Sequence, residues 1–325
     1  MTWRDVLRAL RPGSLALAGA LAVLLAGCAA APAPLPQPLP PRADVPFGQG
    51  IAWKVEREGL EPSYLLGTMH VSDPAIVRLS PPLEAAFKSA SQAAFEVLMD
   101  ERRSTQRQER YLAAALLPEG EALSDLLDPA SYAQLLRIAR LEEPRRVTFG
   151  PYHISRFKPW FVMEVVGKAD PTTRHLDPLG TILDDWLEKR ARIQHKRVVG
   201  LETFEEQLAV MSEMSMEDQI SLLKTHLNHY DERYDYRTAA DIYLSGDTAR
   251  FYGIWLETLE RLEPGVARRF SERYLDGRNR LMVERALPLL EAASTFIAVG
   301  ALHLPGEQGV LRLLEQEGFT LTRLQ

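Results

Sequence analysis

Tyr64-Leu65-Leu66-Gly67-Thr68-Met69-His70, near the start of the chain, and Phe296-Ile297-Ala298-Val299-Gly300-Ala301-Leu302-His303, near its end, share one form. Each is an apolar run, then a glycine, two residues and a histidine. Short apolar runs bounded by turn signals read as buried strands. The glycine permits a sharp exit, and ligand sites in open α/β sheets gather beyond the carboxyl ends of strands. If the two strands run parallel, His70 and His303 converge over one sheet edge. The spacing alone is weak. Gly150-Pro151-Tyr152-His153 repeats it without a preceding strand and reads as a decoy.

Outward from these stretches, Ile51, Trp53 and Val55 alternate with Ala52, Lys54 and Glu56, and a turn signal from Gly59 to Pro62 predicts a hairpin with the first histidine strand. Ser80 and Pro81 open a helix whose Leu83, Ala86, Phe87 and Ala90 share a face, and Ala93 to Leu98 reads as the next strand. From about Glu101 to Pro288 the pattern is mostly helical, interrupted by one short strand from Arg197 to Leu201. After the second histidine strand come a helix carrying Val310, Leu313 and Leu314 and a last strand from Phe319 to Leu324. The fold class predicted is α/β (α+β mixed), with a central mixed sheet built from the N- and C-terminal segments and a large helical middle insertion.

The first residues are of another kind. Arg4, Arg8 and Arg11 precede an apolar run from Ser14 to Ala26, closing in Leu25-Ala26-Gly27-Cys28, the pattern of a lipoprotein signal. The run is too short for a mature membrane span. The chain therefore divides into a signal peptide (1–27), a lipidated Cys28 with an Ala/Pro-rich, extended linker (28–46), and a domain (47–325). That places the domain on a bacterial membrane, facing the periplasm or exterior. Cys28 is the only cysteine, which excludes an internal disulfide, a thiol nucleophile and a thiolate zinc site. Removal of residues 1–27, with three Arg and one Asp, takes the net charge from −6 to −8, and such a balance argues against nucleic acid as a partner.

Glu96 is the third chemical signal, because Ala93-Ala94-Phe95-Glu96-Val97-Leu98 sets a carboxylate in an apolar strand where an unpaired charge is costly. Two neutral imidazoles and a carboxylate form a divalent-metal set that polarises carbonyls and activates water, which points to a hydrolase. Histidines hydrogen-bonded for structure and a salt-bridged glutamate account for the same residues without chemistry. His226 and His229, three apart on a polar helix face, are a weaker candidate pair. The chain has no H-E-x-x-H, no Gly-x-Ser-x-Gly, no P-loop and no Gly-x-Gly-x-x-Gly, which removes the common protease, esterase and nucleotide readings.

With these residues in view, the sequence resembles the TraB/PrgY/GumN family, to which the Tiki metalloproteases belong. Gly67-Thr68-Met69-His70 is similar to its first GxxH, Phe95-Glu96-Val97 to its acidic strand, and Gly300-Ala301-Leu302-His303-Leu304-Pro305-Gly306 to its second GxxH. Lys158-Pro159-Trp160, Gly200-Leu201-Glu202-Thr203-Phe204-Glu205-Glu206-Gln207 and the pair Arg278-Asn279 also resemble family signatures, so the likeness spans nearly the whole domain. The resemblance implies a divalent metal (Mn, Co or Zn) on His70, His303 and Glu96, with Glu96 either a ligand or the base, and a peptide or protein substrate outside the cytoplasm. Arg278 and Asn279 would then stabilise an oxyanion or hold a substrate carboxylate, or else form a helix cap with a surface arginine. Glu202, just past a short strand, would support the same edge or else pair with a neighbouring arginine. Relatives that block peptide pheromones or bind haem leave a non-catalytic peptide-, haem- or metal-binding lipoprotein as the alternative.

Overall fold

The computed structural model describes residues 44–100, 104–142, 151–166, 181–230 and 236–325. The predicted signal segment, Cys28 and the predicted linker up to residue 43 lie outside them, as does Gly150 of the third Gly-x-x-His. The alternating stretch after Ile51 forms strand β1 (Ala52–Glu56), which returns through Gly59, at φ 81°, into β2 (Ser63–Thr68). β3 is Gln92–Phe95, β4 Arg197–Gly200, β5 Thr295–Gly300 and β6 Thr320–Arg323.

The six strands form one sheet in the order β4-β3-β5-β2-β1-β6. β2 and β3 both pair parallel with β5, β3 also pairs parallel with β4, and β1 is antiparallel to β2 and β6. The sheet is thus mixed and is closed by both ends of the domain, with the helical middle contributing only β4.

Parallel strands buried on both faces read as continuous apolar runs. β5 shows this: Phe296, Ile297, Ala298 and Val299 are all fully buried. Phe296 and Ala298, with Leu66 and Phe95, face the helices Pro81–Ser89 and Leu183–Ile193. Phe296 meets Phe87 edge to face at 5.1 Å. Ile297 and Val299, with Leu65 and Ala94, face Gly277–Ala292 and Val310–Gln316. Burying one such side chain contributes roughly 1.5–3 kcal/mol, so the central strand is fixed from both sides. Away from the sheet, Trp255 stacks on Tyr274 and packs on Phe270 in a separate apolar cluster of the helical part. No helix among the described residues is long and apolar enough to cross a membrane.

Three local details differ from expectation. The strand predicted from Ala93 to Leu98 ends at Phe95, and Glu96 lies in the bend that follows. Ser80 precedes the Pro81–Ser89 helix without a side-chain capping bond. Arg278 and Asn279 do not cap a helix start, because a π-helical turn (Glu272–Asp276) leads into Gly277–Ala292 without a break. A π-turn shifts the register of the residues that follow it, and such turns are frequent at functional sites.

Candidate functional site

Because β2, β3, β4 and β5 are all parallel, their carboxyl ends open on one edge. His70 follows β2, Glu96 follows β3, Glu202 follows β4 and His303 follows β5. The register aligns the two motifs, with Gly67 opposite Val299 and Thr68 opposite Gly300. The pairing of β3 with β4 runs on past the strand ends, since Leu201 N donates to Phe95 O and Glu202 N to Glu96 O, each at 2.7 Å. That continuation holds the two glutamates side by side. Neither motif glycine has a positive φ. Glycine is required by close approach instead: a Cβ on Gly67 would stand 2.7 Å from Leu304 Cδ1, and one on Gly300 3.2 Å from Glu96 Oε1.

Glu96 and Glu202 are both buried, and the Arg278 guanidinium lies between them. Arg278 Nε and Nη2 donate to the two oxygens of Glu202 at 2.8 and 2.7 Å, and Nη2 also reaches Glu96 Oε2 at 3.0 Å. Gln207 Nε2 donates to both carboxylates at 3.1 Å, and Gly300 N donates to Glu96 Oε1 at 2.5 Å. Burial pushes the Glu96 carboxyl up, but the Arg278 guanidinium and the Gly300 amide, both in contact with it, hold it below the usual carboxylate range. Glu96 is therefore ionised at neutral pH, and one oxygen, Oε1, keeps a lone pair not taken by Arg278 or Gln207.

His303 lies in the 3-10 turn Ala301–His303, 5% exposed. Burial first, and then the charge of Arg278, push its imidazole down to about 3 against the pull of Glu96, so the ring is neutral. Asn279 sets the tautomer. Its amide nitrogen donates to Gln308 O at 2.7 Å, so its Oδ1, 2.5 Å from His303 Nδ1, must accept. The proton thus sits on Nδ1, and Nε2 carries the lone pair 3.7 Å from Glu96 Oε1.

His70 is placed differently. Its side chain is 53% exposed, and its Nε2 lies 3.5 Å from Asp184 Oδ1. The structure therefore brings Glu96, Glu202, Arg278, Asn279 and His303 into one hydrogen-bonded group and leaves His70 at its mouth. Among the described residues, no three His, Cys, Asp or Glu side chains are drawn together closely enough to hold a metal ion. His226 and His229 belong to the Met216–Asn228 helix and its end, where burial lowers His226 and His229 Nδ1 lies 2.9 Å from Thr225 O. His153 sits in a short helix, Pro151–Ile154.

Gln207, Thr68 and Asp184 carried no role in the sequence. Gln207 had a readable signal: Thr203 and Glu206 form a reciprocal capping box, which starts the Phe204–Ser212 helix and sets Gln207 in its first turn. Arg285 clamps Glu206 at 2.7 and 2.6 Å and also reaches Leu201 O at 2.8 Å, tying that helix to the edge. Asp184 had none, being one of two acids in the first turn of an ordinary helix.

A family model described as "TraB/PrgY/gumN family" matches residues 51–323. No curated protein and no solved structure matches the chain.

Proposed function

The chain belongs to the TraB/PrgY/gumN family, and from that premise and the edge geometry we propose that it is a metal-dependent hydrolase, a peptidase of the Tiki type. It works outside the cytoplasm, tethered to a bacterial membrane through a lipidated Cys28, on peptide or protein substrates. One observation carries the reading: the buried, neutral His303 places its Nε2 3.7 Å from Oε1 of an ionised Glu96. A neutral imidazole nitrogen and a carboxylate oxygen are the donor types that would hold a divalent metal such as Mn, Co or Zn.

A divalent ion held there supplies carbonyl polarisation and a hydrolytic water at neutral pH. The chain's own residues do the rest. His303 and Glu96 would hold the ion, and His70 would offer the second imidazole. Asn279 fixes the His303 ring through Nδ1, as outer partners of metal-binding histidines do. Arg278 and Gln207 each donate to both Glu96 and Glu202 and hold the two buried carboxylates side by side. A carboxyl held at about 2 has a low affinity for protons, which favours Glu96 as a ligand over Glu96 as a base.

The test is metal analysis of the purified protein, followed by digestion of a peptide library with and without chelator. Cleavage that chelator abolishes, with metal content lost in His303→Ala and reduced in His70→Ala, is the expected result. Metal content unchanged in both variants would remove the site. A ligand retained without any cleavage product would replace hydrolysis by binding.

A further inference from the structure

We infer that Asp184 is a positioning residue for His70, its carboxylate accepting the proton on Nε2 so that Nδ1 is left as the lone-pair nitrogen, the reverse of His303. This rests on the reading of His70 as a site imidazole.

The argument starts from the needs of Asp184. It is 5% exposed, in the first turn of Leu183–Ile193, and a carboxylate so buried is costly unless donors surround it. Among the described residues, Thr68, Tyr243 and His70 face it. Thr68 Oγ1 donates to Oδ1 at 2.8 Å. The Tyr243 hydroxyl is spent on Gly67 O at 2.8 Å, and burial, then the Asp184 charge, push its ionisation up, so it remains a phenol. The third is the His70 ring, with Nε2 3.5 Å from Oδ1. Among the described residues, Oδ2 has no hydrogen-bond partner. The His70 N–H is therefore the donor that this carboxylate is short of, and an imidazole with its proton on Nε2 satisfies it.

The surroundings support the same assignment. Thr68 and His70 belong to one Gly67-Thr68-Met69-His70 stretch, so the loop that presents the ring also anchors the acid that orients it. Tyr243, from the Tyr236–Ser245 helix, holds the start of that loop through Gly67 O. At the neighbouring strand end the Asn279 amide does the corresponding work on His303 from the opposite ring nitrogen. Asp184 also lies where a helix N-terminus tolerates negative charge, so it would contribute to stability even without His70, and loss of stability on mutation does not test the idea.

The deciding measurement is the His70 tautomer in metal-free protein. Histidine-labelled protein, kept in chelator at about pH 8, above the ordinary histidine range, is read by long-range proton–nitrogen correlation, with His70 assigned by its loss in His70→Gln. The proton is expected on Nε2 in the parent. In Asp184→Ala the His70 signals should average between the two tautomers, and Mn²⁺ or Zn²⁺ affinity should fall about ten- to a hundredfold, the usual effect of removing an outer partner. Asp184→Asn, which keeps an acceptor oxygen, should restore both. A parent ring protonated on Nδ1, or a tautomer unchanged in Asp184→Ala, overturns the assignment whatever the metal does. If Asp184→Ala fails to fold, the parent and Asp184→Asn tautomers decide alone. Should the parent bind no Mn²⁺ or Zn²⁺ while His70 carries Nε2–H and loses it in Asp184→Ala, the metal reading falls and the positioning stands.

Discussion

At the end of β5 the chain tightens into the Ala301–His303 turn and buries its histidine until 7% of the side chain is exposed. At the end of β2 it runs on as irregular chain and leaves the other histidine 53% exposed. The two segments have the same sequence form and lie on neighbouring parallel strands. Spacing therefore sets where each ring emerges, and the neighbours set what it is. His303 meets Arg278, Glu96 and Asn279 in a dry setting that makes it neutral and fixes its tautomer. His70, half exposed, lies 3.5 Å from the buried Asp184 carboxylate.

The strongest way to break this asymmetry is to remove the guanidinium from the buried side. Arg278→Met leaves Glu96 and Glu202 facing each other without a counter-ion, and breaking a buried ion pair from one side costs about 3–5 kcal/mol. On the exposed side, His70→Ala takes one donor from the buried Asp184 carboxylate and should cost less, about 1–3 kcal/mol. Urea unfolding of the two variants measures both. Equal losses would show that the two histidines do not differ in setting as described.

Acid sharpens the same contrast. The folded value of His303, about 3, lies below its ordinary 6.5, so between those two values the unfolded chain binds a proton that the folded chain does not. Stability of the metal-free protein should therefore fall as pH drops from about 6.5 toward about 3, by an amount on the order of a few kcal/mol. Glu96 adds to the loss lower down, from the ordinary carboxyl value of 4.5 to about 2. Thermal melts across this range should lose the upper part of the dependence in His303→Gln and keep it in His70→Gln. Retention of the upper limb in His303→Gln would assign it to another group.

Much of the fold was legible because it rests on runs that admit one reading. The Phe296–Val299 run is apolar throughout since β5 is covered on both faces, and the hairpin signal at Gly59–Pro62 marks the β1–β2 turn. That both histidines and Glu96 lie at one edge followed from parallel pairing, which the sequence stated only as a condition. What the sequence could not carry is what each side chain touches. Nothing local to Arg278 says that it will lie between two glutamates 182 and 76 residues away. Asp184 was equally silent, because its partner Thr68 is 116 residues distant. Glycine in the motifs was legible as a requirement, though its cause is crowding and not a left-handed turn.

That crowding gives the smallest and most local test of the comparison. A methyl on Gly67 would press on Leu304 Cδ1 at 2.7 Å and on the Ala301 backbone at 3.0 Å, so β2 and the turn carrying His303 would have to separate. Overpacking of this kind costs about 1–3 kcal/mol. A methyl on Gly300 meets only Glu96 Oε1 at 3.2 Å and His303 Cδ2 at 3.5 Å. Its cost in stability should stay below about 1 kcal/mol, within the ordinary range for a single change. Its effect should fall on the site, because the methyl shares the space in which Gly300 N donates to Glu96. Gly300→Ala should thus weaken metal binding with little change in melting temperature, while Gly67→Ala lowers the melting temperature first. If Gly300→Ala destabilises the fold as much as Gly67→Ala does, the second glycine serves packing and not the carboxylate beside it.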